Sequence, residues 1–316
     1  MRRANVEAQR WVERGLVALC IVSLAVALAP LGWPFELFAH FRWQVAAGTA
    51  VLAAAAFGWR SGRRSTTLLL VAIALQATPL LWPTGAAPRL GRDCDGPSLR
   101  VATVNLWYRS RDATHALAWL AAHPADVVVL QEVTTEWSDA LSVTGDLYPH
   151  RATRPRQDPY GIGVLSRWPL VRVDYVDFAG DGLPSVVATL DVDGRLVQVI
   201  GLHTTWPVLK KLQLARDRAL TRAAALARES ALPTVIAGDF NLTPYAPAFR
   251  RLEREAGMRD AFAPLWWRPT WRAALWPLAL PIDHVLLPRG ACVQSATIGE
   301  DVGSDHRPVF VDLRWP

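Results

Sequence analysis

A change of hydrophobic pattern near residue 98 constrains this chain more than any other feature. Before it lie three long apolar runs, 15–35, 43–59 and 65–82, with hardly a charge among them. After it, short β-rich runs bounded by turn residues alternate with helix-length amphipathic stretches. The first pattern fits helices with apolar surroundings, and the second fits a layered α/β domain. The expected organisation is therefore an all-α three-helix region over 1–82, a linker over 83–98 rich in Pro and Gly, and an α/β domain over 99–316.

Each early run approaches the ~20 residues that cross ~30 Å of hydrocarbon. Trp11, Trp33, Trp43, Trp59 and Trp82 stand near the ends of the runs, where amphipathic rings prefer an interface. The expectation is three transmembrane helices, with the bilayer as a partner and no obligate protein partner. A signal peptide is the rival reading, because Arg2 and Arg3 precede an apolar stretch ending in Ala27-Leu28-Ala29; Pro30 and the two later runs argue against it. Arg2, Arg3, Arg10 and Arg14 precede the first run and Arg60, Arg63 and Arg64 the third, while only Arg42 separates the first two. Positive-inside logic then gives a multi-pass protein of the plasma (inner) membrane, N-terminus cytoplasmic and everything after Trp82 extracytoplasmic.

Composition narrows the chemistry. A chain 51% hydrophobic and 20% charged is neither disordered nor collagen-like. Its +6 charge divides as +5 before residue 98 and +1 after, so the C-terminal part lacks the dense basic face of sequence-independent nucleic-acid binding. Three cysteines without CxxC spacing exclude a zinc cluster of the usual kinds, leaving metal chemistry to carboxylates. Cys94 and Cys292 both follow the third run, where an oxidising setting would allow a bridge.

The periodicity predicts strands at Leu99–Leu106, Asp126–Val133, Val186–Leu190, Leu196–Leu202, Thr234–Ala237, Ile282–Leu287 and Pro308–Leu313. It predicts helices at Ala113–Ala122, Leu209–Arg228 and Pro247–Ala256, the second with Lys210, Lys211, Arg216, Arg218 and Arg222 on its wet side. Five of the apolar runs end in acids, amides or histidines: Asn105, Gln131-Glu132, His203, Asp239 to Asn241, and Asp283-His284. Ser304-Asp305-His306 immediately precedes the last strand. One such residue would be an ordinary strand terminator. Six sets in one domain would line a rim with hard oxygen ligands, amides and imidazoles, which suits a cation and a phosphate. His115, His123 and His150 have no such setting and read as surface residues, while His284 reads as structural.

Taken in order, Gln131-Glu132, Gly238-Asp239-Phe240-Asn241, Ile282-Asp283-His284 and Ser304-Asp305-His306-Arg307-Pro308-Val309 resemble the endonuclease/exonuclease/phosphatase superfamily with its deoxyribonuclease I-like fold. The resemblance runs from Leu99 to Leu313. It implies a four-layer α/β sandwich with the active site at one end, and a Mg²⁺- or Mn²⁺-dependent hydrolase of phosphate esters. It further implies that Asn105, Glu132 and Asp305 hold the metal, that His203 contacts the scissile phosphate, that Asp239 and Asn241 position the water, and that Asp283 orients His306. Gly161 to Arg167 matches a family strand, although Gly163 replaces the commoner alanine or asparagine. Trp266, Trp267, Trp271 and Trp276 crowd one segment, the first three as candidate substrate-binding residues. Lipid-linked or envelope phosphoesters lead as substrates, with nucleic acid as the alternative and an inactive binding module as the third reading.

Overall fold

The computed structural model describes residues 2–58, 63–77, 94, 96–262, 268–272 and 275–315. The chain forms two compact units, one of residues 1–84 with 245–247 and the other of 85–244 with 248–316. The first contains α1 (Arg2–Ala27), α2 (Glu36–Ala39), α3 (Arg42–Gly58) and α4 (Arg63–Ala77). Val12, Leu16, Leu19 and Ala72 are buried among them, and the Gln76 amide donates to the hydroxyls of Ser23 and Thr49 at 3.0 and 2.7 Å.

These helices overturn the membrane reading. Among the described residues, no helix is long and apolar enough to cross a membrane. α1 has 26 residues, but its first half carries Arg2, Arg3, Glu7, Arg10, Glu13 and Arg14. It stops at Ala27, before a 3-10 turn at Ala29–Leu31 and Gly32 at φ 83°. The uncharged part that remains helical is only about 20 Å long. α3 and α4 have 17 and 15 residues, about 26 and 22 Å, short of the ~30 Å of hydrocarbon. The expected spans, the bilayer partner and the multi-pass plasma-membrane localisation with an extracytoplasmic domain therefore fail. Trp59, Trp82 and the end of the third run lie outside the described residues.

The second unit contains β1 (Ser98–Asn105), β2 (Val127–Gln131), β3 (His150–Arg154), β4 (Ile162–Ser166), β5 (Leu170–Val176), β6 (Ser185–Val192), β7 (Arg195–His203), β8 (Thr234–Asp239), β9 (Met258–Asp260), β10 (Asp283–Pro288), β11 (Cys292–Ile298) and β12 (Val309–Arg314). They form two six-stranded sheets, ordered β11-β12-β1-β2-β4-β3 and β5-β6-β7-β8-β10-β9. Only β1/β2 and β7/β8 are parallel among these pairs. Helices α5 (Thr114–Ala122), α6 (Thr135–Ala140), α7 (Lys210–Glu229) and α8 (Pro247–Ala256) complete the unit.

Alternation along β1 explains the layers. Leu99 and Val101 join Val127, Val129, Val199, Val235 and Val285 between the sheets, while Ala102 and Val104 pack outward with Trp119, Leu120 and Trp137 of α5 and α6. The sheets meet closely at Gly201, where a Cβ would stand 2.6 Å from Val186 Cγ1 and 2.7 Å from Val129 Cγ1. α7 differs from expectation at one position. Arg216 is fully buried rather than wet, its Nε and Nη2 donating to Asp217 Oδ1 at 3.0 and 2.7 Å. Period alone cannot distinguish an arginine whose charge meets a carboxylate inside the fold from one in water. A disulfide joins Cys94 to Cys292, with Cα atoms 6.0 Å apart.

A buried polar cluster lies beneath α8. His284 bonds Asp260 Oδ2 at 2.9 Å and the Leu242 carbonyl at 2.8 Å, and its ring lies 4.6 Å from that of Phe249. Burial alone would lower the His284 pKa, but Asp260 outweighs it and the net shift is upward. Glu253 accepts the Asp260 N–H at 3.0 Å, and burial, reinforced by Asp260, pushes its carboxyl up to about 7. A carboxyl raised on folding stabilises least when ionised, so this contribution falls as pH rises from the ordinary glutamate range through about 7. Glu253→Gln should therefore raise Tm at pH 8, with the gain shrinking towards pH 5. A Tm difference independent of pH in differential scanning fluorimetry would contradict this.

Candidate active site

The strand directions gather the polar termini at one end. β1 and β2 run parallel and finish at Asn105 and at Gln131 before Glu132, and β7 and β8 run parallel and finish at His203 and Asp239. β10 is antiparallel to β8, so its first residue, Asp283, pairs with Asp239. β12 is antiparallel to β1, which brings the approach to β12, and with it His306, to the same end. The Asn105 amide links the sheets, donating to Glu132 Oε1 at 3.0 Å and Asp239 Oδ2 at 3.2 Å.

Three side chains on this rim stand on left-handed backbone: Trp107 at φ 57°, Glu132 at 59° and Asn241 at 45°. Non-glycine residues adopt this conformation only where the surroundings enforce it, and such strain clusters at functional sites. The enforcing bonds are present. Asn105 Oδ1 accepts from Trp107 N at 3.0 Å, Glu132 Oε2 from Tyr108 N at 2.8 Å, and Asp239 Oδ1 from Asn241 N at 2.9 Å. The Asn241 amide donates to the Thr204 carbonyl at 2.8 Å. At Gly238, φ is 146° and a Cβ would lie 1.9 Å from the Leu202 carbonyl, so only glycine can precede Asp239.

Asp239 is the electrostatic centre. Its Oδ2 lies 3.5 Å from His203 Nε2 and 3.7 Å from His306 Nε2. Burial and the Asp283 charge push the Asp239 carboxyl up to about 6, against the opposing pull of His306 and His203. His306 Nδ1 bonds Asp283 Oδ2 at 2.8 Å. Burial would lower the His306 pKa, but Asp283 and Asp239 together raise it to about 10. Those two carboxylates favour the protonated ring, whose Nδ1 faces Asp283 and whose Nε2 faces Asp239. One ligand atom from each of Asp239, Asp283 and His306 can be found within 4.8 Å of the others. Asp283 is bonded to His306 and Asp239 faces both histidines, so the oxygens of Glu132 and Asn105 are the better match to a hard cation. The buried Oδ1 of Asp305, with no hydrogen-bond partner, is a further oxygen suited to one.

The structure thus brings together Asn105, Glu132, His203, Asp239, Asn241, Asp283 and His306. Asp305 adjoins them, its Oδ2 accepting from Trp271 Nε1 at 3.3 Å. Trp271 also bridges His306 through the backbone. Trp266 and Trp267 lie outside the described residues. Three contributors escaped the sequence reading. The Thr270 hydroxyl receives the Ile282 and Asp283 N–H groups, each at 3.1 Å. The Tyr160 ring sits 5.3 Å from that of His203, and Arg272 clasps the Ser304 carbonyl and Asp301 below the Asp305 turn. None follows an apolar strand, so no periodic signal marked them. His284 points away into its own cluster, as neighbours on a strand must. His123 stacks on Trp119 at 5.1 Å, His150 pairs with Ser166 at the end of β3 away from the rim, and His115 is exposed.

This two-sheet α/β sandwich with a polar rim defines a class. The model of the Endonuclease/Exonuclease/phosphatase family matches residues 102–306, and the chain belongs to that family. It is accordingly an enzyme, a phosphoester hydrolase of a divalent-metal-dependent family. Solved structures share the deoxyribonuclease I-like fold. The endonuclease/exonuclease/phosphatase from Beutenbergia cavernae is 23% identical, with a TM-score of 0.56 over 69% of this chain and 72% of its own. Sphingomyelinase C from Streptomyces griseocarneus is 21% identical, with a TM-score of 0.54 over 68% and 99%. The 3' phosphatase NExo from Neisseria, bound to a product DNA hairpin, is 20% identical, with a TM-score of 0.55 over 69% and 100%. No curated protein matches the chain.

Proposed function

We propose that the chain is a Mg²⁺- or Mn²⁺-dependent phosphodiesterase or phosphatase, with Asn105, Glu132 and Asp305 holding the cation. The observation that carries the reading is the Asp283–His306 hydrogen bond of 2.8 Å beside the raised carboxyl of Asp239. It sets an acid and a base 3.7 Å apart at the end of the sandwich. When bound, the cation supplies polarisation of the phosphoryl oxygen and neutralises charge on the leaving oxygen.

The protein groups move the protons. Water attacks phosphorus in line with the leaving oxygen, and Asp239 Oδ2 accepts its proton as the new P–O bond forms. Asn241 holds that carboxylate through its backbone N–H. His203 contacts the scissile phosphate. His306 Nε2 donates to the leaving oxygen as the ester bond breaks, and Asp283 keeps the other imidazole proton in place.

The test is the purified full chain with Mg²⁺ or Mn²⁺ against phospholipids, nucleic acids and phosphomonoesters. Metal-dependent hydrolysis of at least one class, abolished by chelation, is expected; none with any class would overturn the proposal. Glu132→Gln removes one ligand charge while nearly keeping shape. It should raise the Mg²⁺ concentration for half-maximal activity at least about tenfold, and an unchanged titration would remove Glu132 from the ligand set.

A further inference from the structure

Two apolar loops leave the catalytic rim side by side. Trp206 follows His203 by three residues, in Trp206-Pro207-Val208-Leu209, and Trp206, Val208 and Leu209 are 58%, 43% and 49% exposed. The second loop is closed at its base by pairing of Trp271 with Leu280, while Trp271 also pairs with His306 and bonds Asp305. Its tip exposes Leu275 and Leu278 at 67% and 42%. The rings of Trp206 and Trp271 approach to 6.4 Å at 53°, joining the two loops beside the reacting groups. Scattered exposed apolar residues are ordinary, but large ones on two adjoining loops make a surface that water disfavours and a ligand can cover.

We infer that Trp206, Val208, Leu209, Trp271, Leu275 and Leu278 form a subsite for the alkyl or acyl chain of an amphiphilic phosphoester whose phosphate lies on the rim. The inference rests on the hydrolytic reading above and names its substrate class. Continuity identifies the occupant: Trp271 touches both Asp305 and His306, so whatever is attached to the phosphate on that side meets the Trp pair first. Neither 206–209 nor 275–280 contains a charged residue or a side-chain amide; of the flanking cations, Arg272 is held by Asp301 and the Ser304 carbonyl, and Lys210 and Lys211 open α7. A nucleic-acid strand continuing past the phosphate would need cations for its backbone, whereas a hydrocarbon chain needs only apolar area.

Methyl and decyl esters test this, the diesters sharing a 4-nitrophenolate leaving group and the monoesters each releasing a simple primary alcohol. 4-Nitrophenyl methyl and 4-nitrophenyl decyl phosphate serve as diesters, and methyl and decyl phosphate as monoesters, all below their micellar concentrations. In at least one form the decyl ester should show kcat/KM at least about tenfold above the methyl ester. Trp206→Ala and Leu209→Ser should bring that ratio towards one, while Val143→Ser, exposed elsewhere, should leave it unchanged. Thermal melting of each variant reports its fold. Hydrolysis without chain preference, or a preference that survives both rim variants, overturns the subsite alone. Loss of single-stranded DNA hydrolysis in Trp206→Ala with the alkyl ratio intact would make the Trp pair a base-stacking platform and also overturn it. Failure to hydrolyse all four esters and the DNA overturns the hydrolytic reading itself.

Discussion

His306→Ala is expected to lower turnover by about a hundredfold to ten-thousandfold, the range lost with a positioned acid or base. The effect should fall on kcat with little change in the metal requirement, because the ring bonds Asp283 rather than the Glu132 and Asn105 oxygens. Removing the imidazolium leaves the Asp283 carboxylate buried without its partner, which destabilises the fold. His306→Gln keeps a donor of similar reach without an exchangeable imidazole proton and separates the two effects. A folded His306→Ala or His306→Gln protein with activity within threefold of wild type would show that the chemistry lies elsewhere. Asp283→Asn should lose turnover for a different reason, since an amide can present either an oxygen or a nitrogen to Nδ1 and no longer fixes its proton.

The second large effect concerns the disulfide. Cys94 and Cys292 are 198 residues apart, so the bridge closes a loop containing nearly the whole catalytic unit. Chain-entropy arguments give an upper value of about 5 kcal/mol for a loop of that size, and measured bridges typically contribute roughly 2–4 kcal/mol. The Cys94→Ser/Cys292→Ser double variant should lose that much in urea unfolding followed by Trp fluorescence, and reduced wild type should match it. The remaining cysteine, Cys20, donates to the Leu68 carbonyl at 3.2 Å and has no part in the bridge. Wild type and double variant with the same unfolding midpoint, or two free thiols at positions 94 and 292 in non-reducing mass spectrometry, would contradict this.

What the sequence made legible follows from where its signals come from. Asn105, Glu132, His203, Asp239, Asp283 and His306 were readable because each interrupts or adjoins a run of β-branched residues, where a polar side chain must find a polar partner or a ligand. The strands before them were found within a residue or two. β3, β5, β9 and β11, the edge strands of the two sheets, were not, since an edge strand that is short or half exposed carries little pattern. The membrane reading failed because charge-free length was counted across turns: Pro30, Gly32 and Pro34 end the first helix inside its run, whatever the hydropathy. Arg216 and Tyr160 show the complementary limit. One is buried through an ionic partner and the other placed by a loop, and both are decided by tertiary neighbours.

The pairing of β1 with β12, Ser98 opposite Arg314, has a consequence for how the enzyme comes into being. Asn105 is made early in synthesis of the catalytic unit, yet the sheet around it lacks its neighbour until the last strand exists, and His306 arrives with that strand. Half-finished chains hold Asn105 and Glu132 with neither Asp305 nor His306 opposite them. Contacts of such long sequence separation form slowly, so on refolding, hydrolysis should return with the slowest structural phase. Catalytic competence thus reports that the first and last strands of the unit have found each other.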